Sequence, residues 1–245
     1  SQIGYSDYER LFSNLLETGN SPELDLIESV IPLKGCHLLE VGCATGELLA
    51  LARSRGASTI GLEISDYAAE VAKSRHGLDV RVGSLESQQF TSNTFDLVIA
   101  LEVIEHVPSP ITFLREISRI LKPGGFVCLS TPNYRCARRW GERWMGFQMS
   151  FEHIYFFSDE VLMRMATFSA LTTLLWATTG TGLWPPERAH AFSVRNIVKK
   201  IPGITKIWRS LGKPLKKNPW EFFGQGHRSI FIMRKLQKFD QARKN

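Results

Sequence analysis

From Cys36 onward, short apolar runs alternate with segments of helical period, and this alternation predicts a parallel α/β sheet. HLLEVG (37–42) reads as a first buried strand and GELLALARSRG as the helix after it. STIGLEI (58–64) and DYAAEVAKSRHG give a second strand and helix, LDVRVGS a third strand, and FDLVIALE (95–102) a fourth. PITFLREISRILKPGG predicts a helix ended by Pro123 and two glycines, followed by a fifth strand in GFVCLSTPN (125–133). SDEVLMRMATFSA has helical spacing with Ser158 as its N-cap. LTTLLWATTG predicts a sixth strand and HRSIFIMRK (227–235) a seventh. No repeat or low-complexity tract interrupts the pattern. The expectation is one domain over 1–245: a helical cap over 1–35, a core over 36–180, an insert over 181–226 and a last strand over 227–235.

Composition changes this picture in two places. The 245 residues are 43% hydrophobic and 22% charged, as in an ordinary soluble globular protein. No apolar run approaches the ~20 residues of a membrane span, and SQIGYSDYERLF has no signal-peptide core. Cys36, Cys43, Cys128 and Cys136 show neither CxxC nor zinc-ligand spacing, so they read as reduced thiols of a cytoplasmic protein. The net charge of +6 is uneven: 186–224 holds nine Lys/Arg against Glu187 and Glu221, or +7, which leaves −1 for the remainder. The basicity belongs to the insert.

The first strand runs through Glu40 into Gly42-Cys43-Ala44-Thr45-Gly46 and then a helix. Glycines at a strand-to-helix turn let the backbone bend tightly and let a ligand approach. A dinucleotide fold places GxGxxG there to cradle a pyrophosphate; here Ala44 stands between Gly42 and Gly46. Glu63 ends the second strand, where an acidic residue accepts both hydroxyls of a ribose. Turn and acid together point to a nucleoside ligand.

LLEVGCATG, GLEIS, GSLES, FDLVIALEVIEHV and LKPGGFVCLSTPN, in this order, resemble the class I S-adenosylmethionine-dependent methyltransferases, and within them the subgroup of the ubiquinone-biosynthesis O-methyltransferases. The resemblance covers roughly 36–180 and a final strand at 227–235. It implies a Rossmann-like sheet in the order 3-2-1-4-5-7-6, with strand 7 antiparallel and helices on both faces. It also implies the cofactor S-adenosylmethionine, which has no pyrophosphate to cradle. By the resemblance, Gly42, Ala44 and Gly46 line its methionine end and Glu40 supports the turn. Glu63 holds the ribose, Ile64 packs on the adenine, and Ser84 and Leu85 meet the adenine edge. The family usually carries Asp at the position of Ser84. Ala100, Leu101 and Glu102 lie beside the transferring methyl.

EVIEHVPSP (102–110) puts Glu102, Glu105 and His106 at i, i+3 and i+4, one face if the segment is helical. Three readings stay open. The carboxylates sit in a helix first turn, favoured there by its dipole by ~0.3–1 kcal/mol each. Or His106, or His153 in FEHIYFFS, is a general base, suited by an unperturbed pKa of ~6.5. Or Glu102, Glu105, His106 and His153 bind a divalent metal (Mg, Mn or Zn) that activates a hydroxyl. ExxEH with a later His resembles the metal-dependent small-RNA 2′-O-methyltransferases. His76, His190 and His227 lack acidic neighbours at ligand spacing and read as surface or strand-end residues.

The insert mixes its cations with apolar residues such as Ile197, Ile201, Trp208, Trp220 and Phe222. It reads as a helical lid, or as a peripheral membrane contact or attractor of an acidic substrate. No RNA-binding motif is present, so no nucleic-acid partner is expected. WGERWMGFQ (140–148) is expected to wall the substrate pocket, and Tyr5 and Tyr8 to close over the cofactor. The expected activity is O-methylation of a small or lipid-like molecule, with N- or C-methylation of a sugar or natural-product intermediate as the alternative. Cofactor binding without transfer is the reading from another class.

Overall fold

The computed structural model describes residues 15–144, 147, 152–179 and 228–237. The basic insert, Tyr5, Tyr8, His190 and His227 lie outside them. The helix α1 (Pro22–Glu28) starts at Ser21, whose side chain accepts the Leu24 amide, with Pro22 in the first turn, where its missing N–H costs nothing. Then follow β1 (His37–Val41), α2 (Glu47–Ser54), β2 (Ser58–Glu63), α3 (Asp66–His76), β3 (Val80–Val82), β4 (Phe95–Leu101), α4 (Pro110–Ile120), β5 (Leu121–Pro132), α5 (Arg135–Trp140), α6 (Asp159–Phe168), β6 (Leu171–Thr179) and β7 (Arg228–Lys235). Helix α3 is capped by Ser65 and stopped by Gly77 in the left-handed region, and α6 is capped by Ser158 as expected.

The sheet order is β3-β2-β1-β4-β5-β7-β6. Strands β1 to β5 pair in parallel, while β7 runs antiparallel to β5 and β6. Both faces are covered, so the central strands are apolar throughout rather than alternating. On one face Leu38, Leu97, Ile99 and Ile232 pack with Leu24 of α1, Leu49 of α2 and Ala69 of α3. On the other, Leu39, Val98, Val127 and Phe231 pack with Phe113 and Ile117 of α4 and Leu162 and Ala166 of α6.

β3 is shorter than LDVRVGS, and the largest difference from expectation lies at the start of β5. Helix α4 ends at Ile120 and β5 already begins at Leu121, so LKPGG is strand rather than helix end. Leu121 pairs with Phe95 and Phe126 with Leu97, so residues 122–125 bulge opposite Asp96 alone. Lys122 Nζ closes the bulge with bonds of 2.8 Å to each Asp96 carboxylate oxygen. A proline that cannot donate is accommodated where the ladder is already interrupted.

Candidate functional site

The carboxyl ends of β1, β2, β4 and β5 gather the residues singled out by the sequence, at the edge where open α/β sheets bind ligands. The β1–α2 turn bends through left-handed backbone at Gly42 (φ 72), Ala44 (φ 46) and Gly46 (φ 88). Ala44 is the costly one, having a Cβ. Its amide is held by Glu63 Oε2 at 2.9 Å, while Glu63 Oε1 takes the Ser65 amide at 2.9 Å. One carboxylate thus fixes two neighbouring turns. Gly42 and Gly46 are required by packing as well as by backbone angle. A Cβ on Gly42 would lie 2.7 Å from Val103 Cγ2, and one on Gly46 2.6 Å from Leu78 Cδ1.

Under the turn lie two more buried carboxyls. Thr45 Oγ1 donates to Glu47 Oε2 at 2.6 Å, and Glu47 Oε1 stands 3.8 Å from both Arg75 Nη1 and His76 Nε2. His76 has no acidic neighbour at ligand spacing along the chain, but α3 brings it to a glutamate distant in sequence. Glu40 is 4% exposed, and its Oε2 has no hydrogen-bond partner among the described residues. Burial, then the charges of Glu47 and Glu63, hold its carboxyl well above the usual range. Ile64 is 76% exposed and offers an apolar surface beside Glu63. Ser84 is exposed, whereas Leu85 is buried in the core.

Ala100 is buried and Leu101 half-buried at the end of β4. Beyond them EVIEH is not a helix: 102–109 form a turn, and α4 starts at Pro110. Pro108 disfavours helical backbone at Val107, and Pro110 suits a helix start. The helix-dipole reading of the two carboxylates accordingly has no helix to act on. Glu102 takes a left-handed φ of 54 and is tied to Ser130, which donates to Glu102 Oε1 at 2.7 Å and accepts its amide at 3.1 Å through the carbonyl. Glu105 is fully buried, with Thr131 Oγ1 donating to its Oε2 at 3.0 Å. Ser130 and Thr131 are consecutive on β5 and point to opposite faces, so the carboxylates they hold diverge.

Burial and then the charge of Glu102 push the Glu105 carboxyl up to about 9. Burial raises Glu102 too, with Arg228, Ser130 and His106 pulling the other way. Arg228 Nη2 also bonds Glu23 Oε1 of α1 at 2.6 Å. His153 Nε2 is 3.9 Å from Glu105 Oε1, and burial followed by His106 lowers its imidazole to about 4. The His106 and His153 rings meet edge to face at 4.7 Å. His106 Nδ1 lies 3.1 Å from the Glu152 carbonyl. A carbonyl only accepts, so Nδ1 carries a hydrogen, and in the neutral ring Nε2 is the acceptor. Ligand atoms of Glu105, His106 and His153 all lie within 4.8 Å of one another. Of the four residues expected at a metal, these three are brought together and Glu102 is not among them.

A strap over 152–157 fixes this loop. Ile154 and Tyr155 donate their amides to the Glu105 carbonyl at 2.9 and 3.2 Å, and Tyr155 Oη donates to the Pro108 carbonyl at 3.0 Å. Trp144, fully buried, meets Phe147 at 4.8 Å and Phe156 at 5.4 Å, and Phe156 meets His153 at 5.8 Å. Of the segment 140–148, Trp144 and Phe147 thus join an aromatic cluster with the strap. Ser130, Thr131 and Arg228 were not foreseen. The hydroxyl pair in STPN, opposite the acids of EVIEH, is the signal that could have found the first two.

Fold and site together define a class. The chain matches the family described as the methyltransferase domain over residues 6–167 and belongs to that family, a class I S-adenosylmethionine-dependent methyltransferase domain. The ubiquinone biosynthesis O-methyltransferase of Xanthomonas oryzae pv. oryzae is 36% identical over 121 residues, 46% of this chain and 50% of that protein. Its namesake in Coxiella burnetii is 32% identical over 119 residues, 46% of this chain and 51% of that one. The chain spans about half the length of these curated relatives. A solved Thermotoga maritima methyltransferase, described as a possible histamine N-methyltransferase, shares the fold: TM-score 0.61 at 22% identity, covering 94% of this chain and 95% of that one. All four cysteines are buried free thiols. Among the described residues no helix is long and apolar enough to cross a membrane.

Proposed function

We propose that the chain binds S-adenosylmethionine over the Gly42–Gly46 turn and methylates a hydroxyl of a small or lipid-like molecule held beside Glu105, His106 and His153. The observation that carries the reading is Glu63, whose carboxylate is oriented by the Ala44 and Ser65 amides at 2.9 Å at the end of β2, where an acidic residue accepts a ribose diol. Exposed Ile64 supports an adenine beside it, and the unpartnered oxygen of Glu40 supports a cation near the turn. The cofactor supplies a methyl carbon bound to positive sulfur, which leaves with the electron pair of the broken C–S bond.

What the chain must add is position and a proton acceptor. His106, with Nδ1 committed to Glu152, has Nε2 free to take the proton of the attacking hydroxyl. Exposed Phe147, backed by Trp144 and Phe156, would meet the apolar part of the substrate. The O-methyltransferase names of the curated relatives favour oxygen over nitrogen as the acceptor. The basic segment 186–224 supports a peripheral contact with an anionic bilayer, suited to a lipid-like substrate.

One observation favours a second reading of the same residues. The donors of Glu105, His106 and His153 within 4.8 Å, with Glu105 Oε1 unpartnered, suit a divalent ion, Mg, Mn or Zn. Such an ion would be held by one carboxylate and two imidazoles and would lower the pKa of a hydroxyl. Glu105 would have to lose its proton to serve. The test for O-transfer is incubation with methyl-¹³C-labelled cofactor and matched catechols and anilines. Label on catechol oxygen supports the proposal, and label confined to nitrogen, or to neither, overturns it.

A further inference from the structure

We propose that Glu40 couples cofactor binding to the release of one proton: its carboxyl is protonated before the cofactor arrives, and loses that proton to solvent as the ammonium of the methionine end comes to lie near it. The inference rests on the cofactor reading above and concerns a role of Glu40 distinct from supporting the turn.

Three carboxyls, Glu40, Glu47 and Glu63, lie buried under the Gly42–Gly46 turn. Two are answered by the protein. Glu63 accepts two backbone amides, and Glu47 accepts the Thr45 hydroxyl with Arg75 and His76 nearby. Glu40 is different: it is 4% exposed and its Oε2 has no partner among the described residues. The alternation of β1 puts it on the face of Leu38, beneath the first turn of α2. The titratable groups facing it are Glu47 from α2, Glu63 from β2 and Cys43 from the turn, whose thiol is itself pushed up by burial and then by Glu40 and Glu63. Arg75 and His76 of α3 reach Glu47, and the neighbour across β4 is the uncharged Ile99.

An isolated carboxylate in such a place is strongly disfavoured, and the like charges of Glu47 and Glu63 disfavour it further. The protonated acid is the stable form until a cation comes. The methionine end of the cofactor carries an ammonium, in S-adenosylmethionine and in its demethylated product alike. Its arrival reverses the preference: the O–H bond of the Glu40 carboxyl breaks, the proton goes to buffer, and the ammonium keeps its own protons as the counter-charge. No covalent bond to the cofactor is made or broken. By linkage, affinity should then rise with pH, by up to about tenfold per unit below the folded-state pKa of Glu40.

The experiment is titration calorimetry of the full chain at pH 6.5, with S-adenosylmethionine and with S-adenosylhomocysteine, in buffers of differing ionisation enthalpy. The dependence of the observed heat on buffer should show net proton release for either ligand, and close to none in Glu40→Gln. Affinity of the unaltered chain should also increase between pH 6 and 7, a measurement that does not depend on the variant folding. Binding with no buffer dependence and no pH dependence would overturn the inference while leaving the cofactor reading intact. Undiminished release in a folded Glu40→Gln would overturn it as well, assigning the proton elsewhere. If neither ligand binds, the cofactor reading fails and this inference with it.

Discussion

His153 Nε2 lies 3.9 Å from Oε1 of Glu105, a carboxyl with no exposed surface whose other oxygen is held by Thr131. The contact joins a loop after β4 to the strap before α6, and it gives a distant histidine a place in the site. It also separates the two chemical readings. If Glu105, His106 and His153 hold an ion, chelation should remove activity, one of Mg²⁺, Mn²⁺ or Zn²⁺ should restore it, and each alanine variant should bind that ion more weakly. If His106 acts alone as the base, chelation should be silent and His106→Ala should lower turnover by ~10²–10⁴. Metal content and turnover after chelation decide between them.

The same contact sets an expected pH dependence of stability in chelator. Glu105 is raised from an ordinary 4.5 to about 9, so over that window the unfolded chain has lost a proton the folded chain keeps. Its contribution is complete below 4.5 and is lost as pH rises toward 9. His153 is lowered from 6.5 to about 4, so its contribution is complete above 6.5 and is lost as pH falls toward 4. The two oppose one another in mildly acid solution; above 6.5 only Glu105 of the pair still acts, in the same direction as the raised carboxyls of Glu40 and Glu102. Thermal midpoints should therefore fall from pH 6.5 to 9, and Glu105→Gln, which can still accept from Thr131, should flatten that fall. An unchanged slope in the variant would assign the decline to other groups.

Gly42 should not tolerate a side chain. Its φ of 72 strains any other residue, and a Cβ would stand 2.7 Å from Val103 Cγ2. Gly42→Val should cost about 1–3 kcal/mol of stability and Gly42→Ala less, since only valine adds branched methyls against the loop that carries Glu102 and Glu105. Denaturant unfolding of both variants checks the order. Equal stability of Gly42→Val and the unaltered chain would mean that the turn can shift.

Much of the fold was legible because the strands are bounded apolar runs and three of the helices open on a capping serine, Ser21, Ser65 and Ser158. The order of the strands was not written in those runs; it came with the resemblance, and the sheet bears it out. The start of β5 was missed because LKPGG carries helix-stop residues that here form a bulge opposite Asp96. The spacing of Glu102, Glu105 and His106 suggested one helical face, but spacing decides a face only where the backbone is helical, and Pro108 and Pro110 prevent that. The separation of Glu102 from the other three depends on Ser130 and Thr131, partners from another strand. The approach of His76 to Glu47 is likewise a product of packing between α2 and α3.

A contact with membranes through 186–224 makes a different demand. Co-sedimentation with liposomes should require anionic lipid and weaken at high salt, because exposed charges are screened within ~10 Å at 0.1 M. Replacing Lys199, Lys200, Lys216 and Lys217 by Glu should abolish it and leave cofactor affinity unchanged. Sedimentation with neutral lipid alone, or with none, would argue against an electrostatic contact.

The account stands most directly on Glu63. Titration calorimetry of S-adenosylmethionine against the unaltered chain and Glu63→Ala compares binding with and without the proposed ribose acceptor. Loss of a charged hydrogen-bond acceptor corresponds to ~1.5–3 kcal/mol, so the variant should bind at least about tenfold more weakly. Circular dichroism should confirm that it remains folded, since the same carboxylate holds the Ala44 and Ser65 amides. A folded Glu63→Ala chain with the affinity of the unaltered one would contradict the placement of the cofactor.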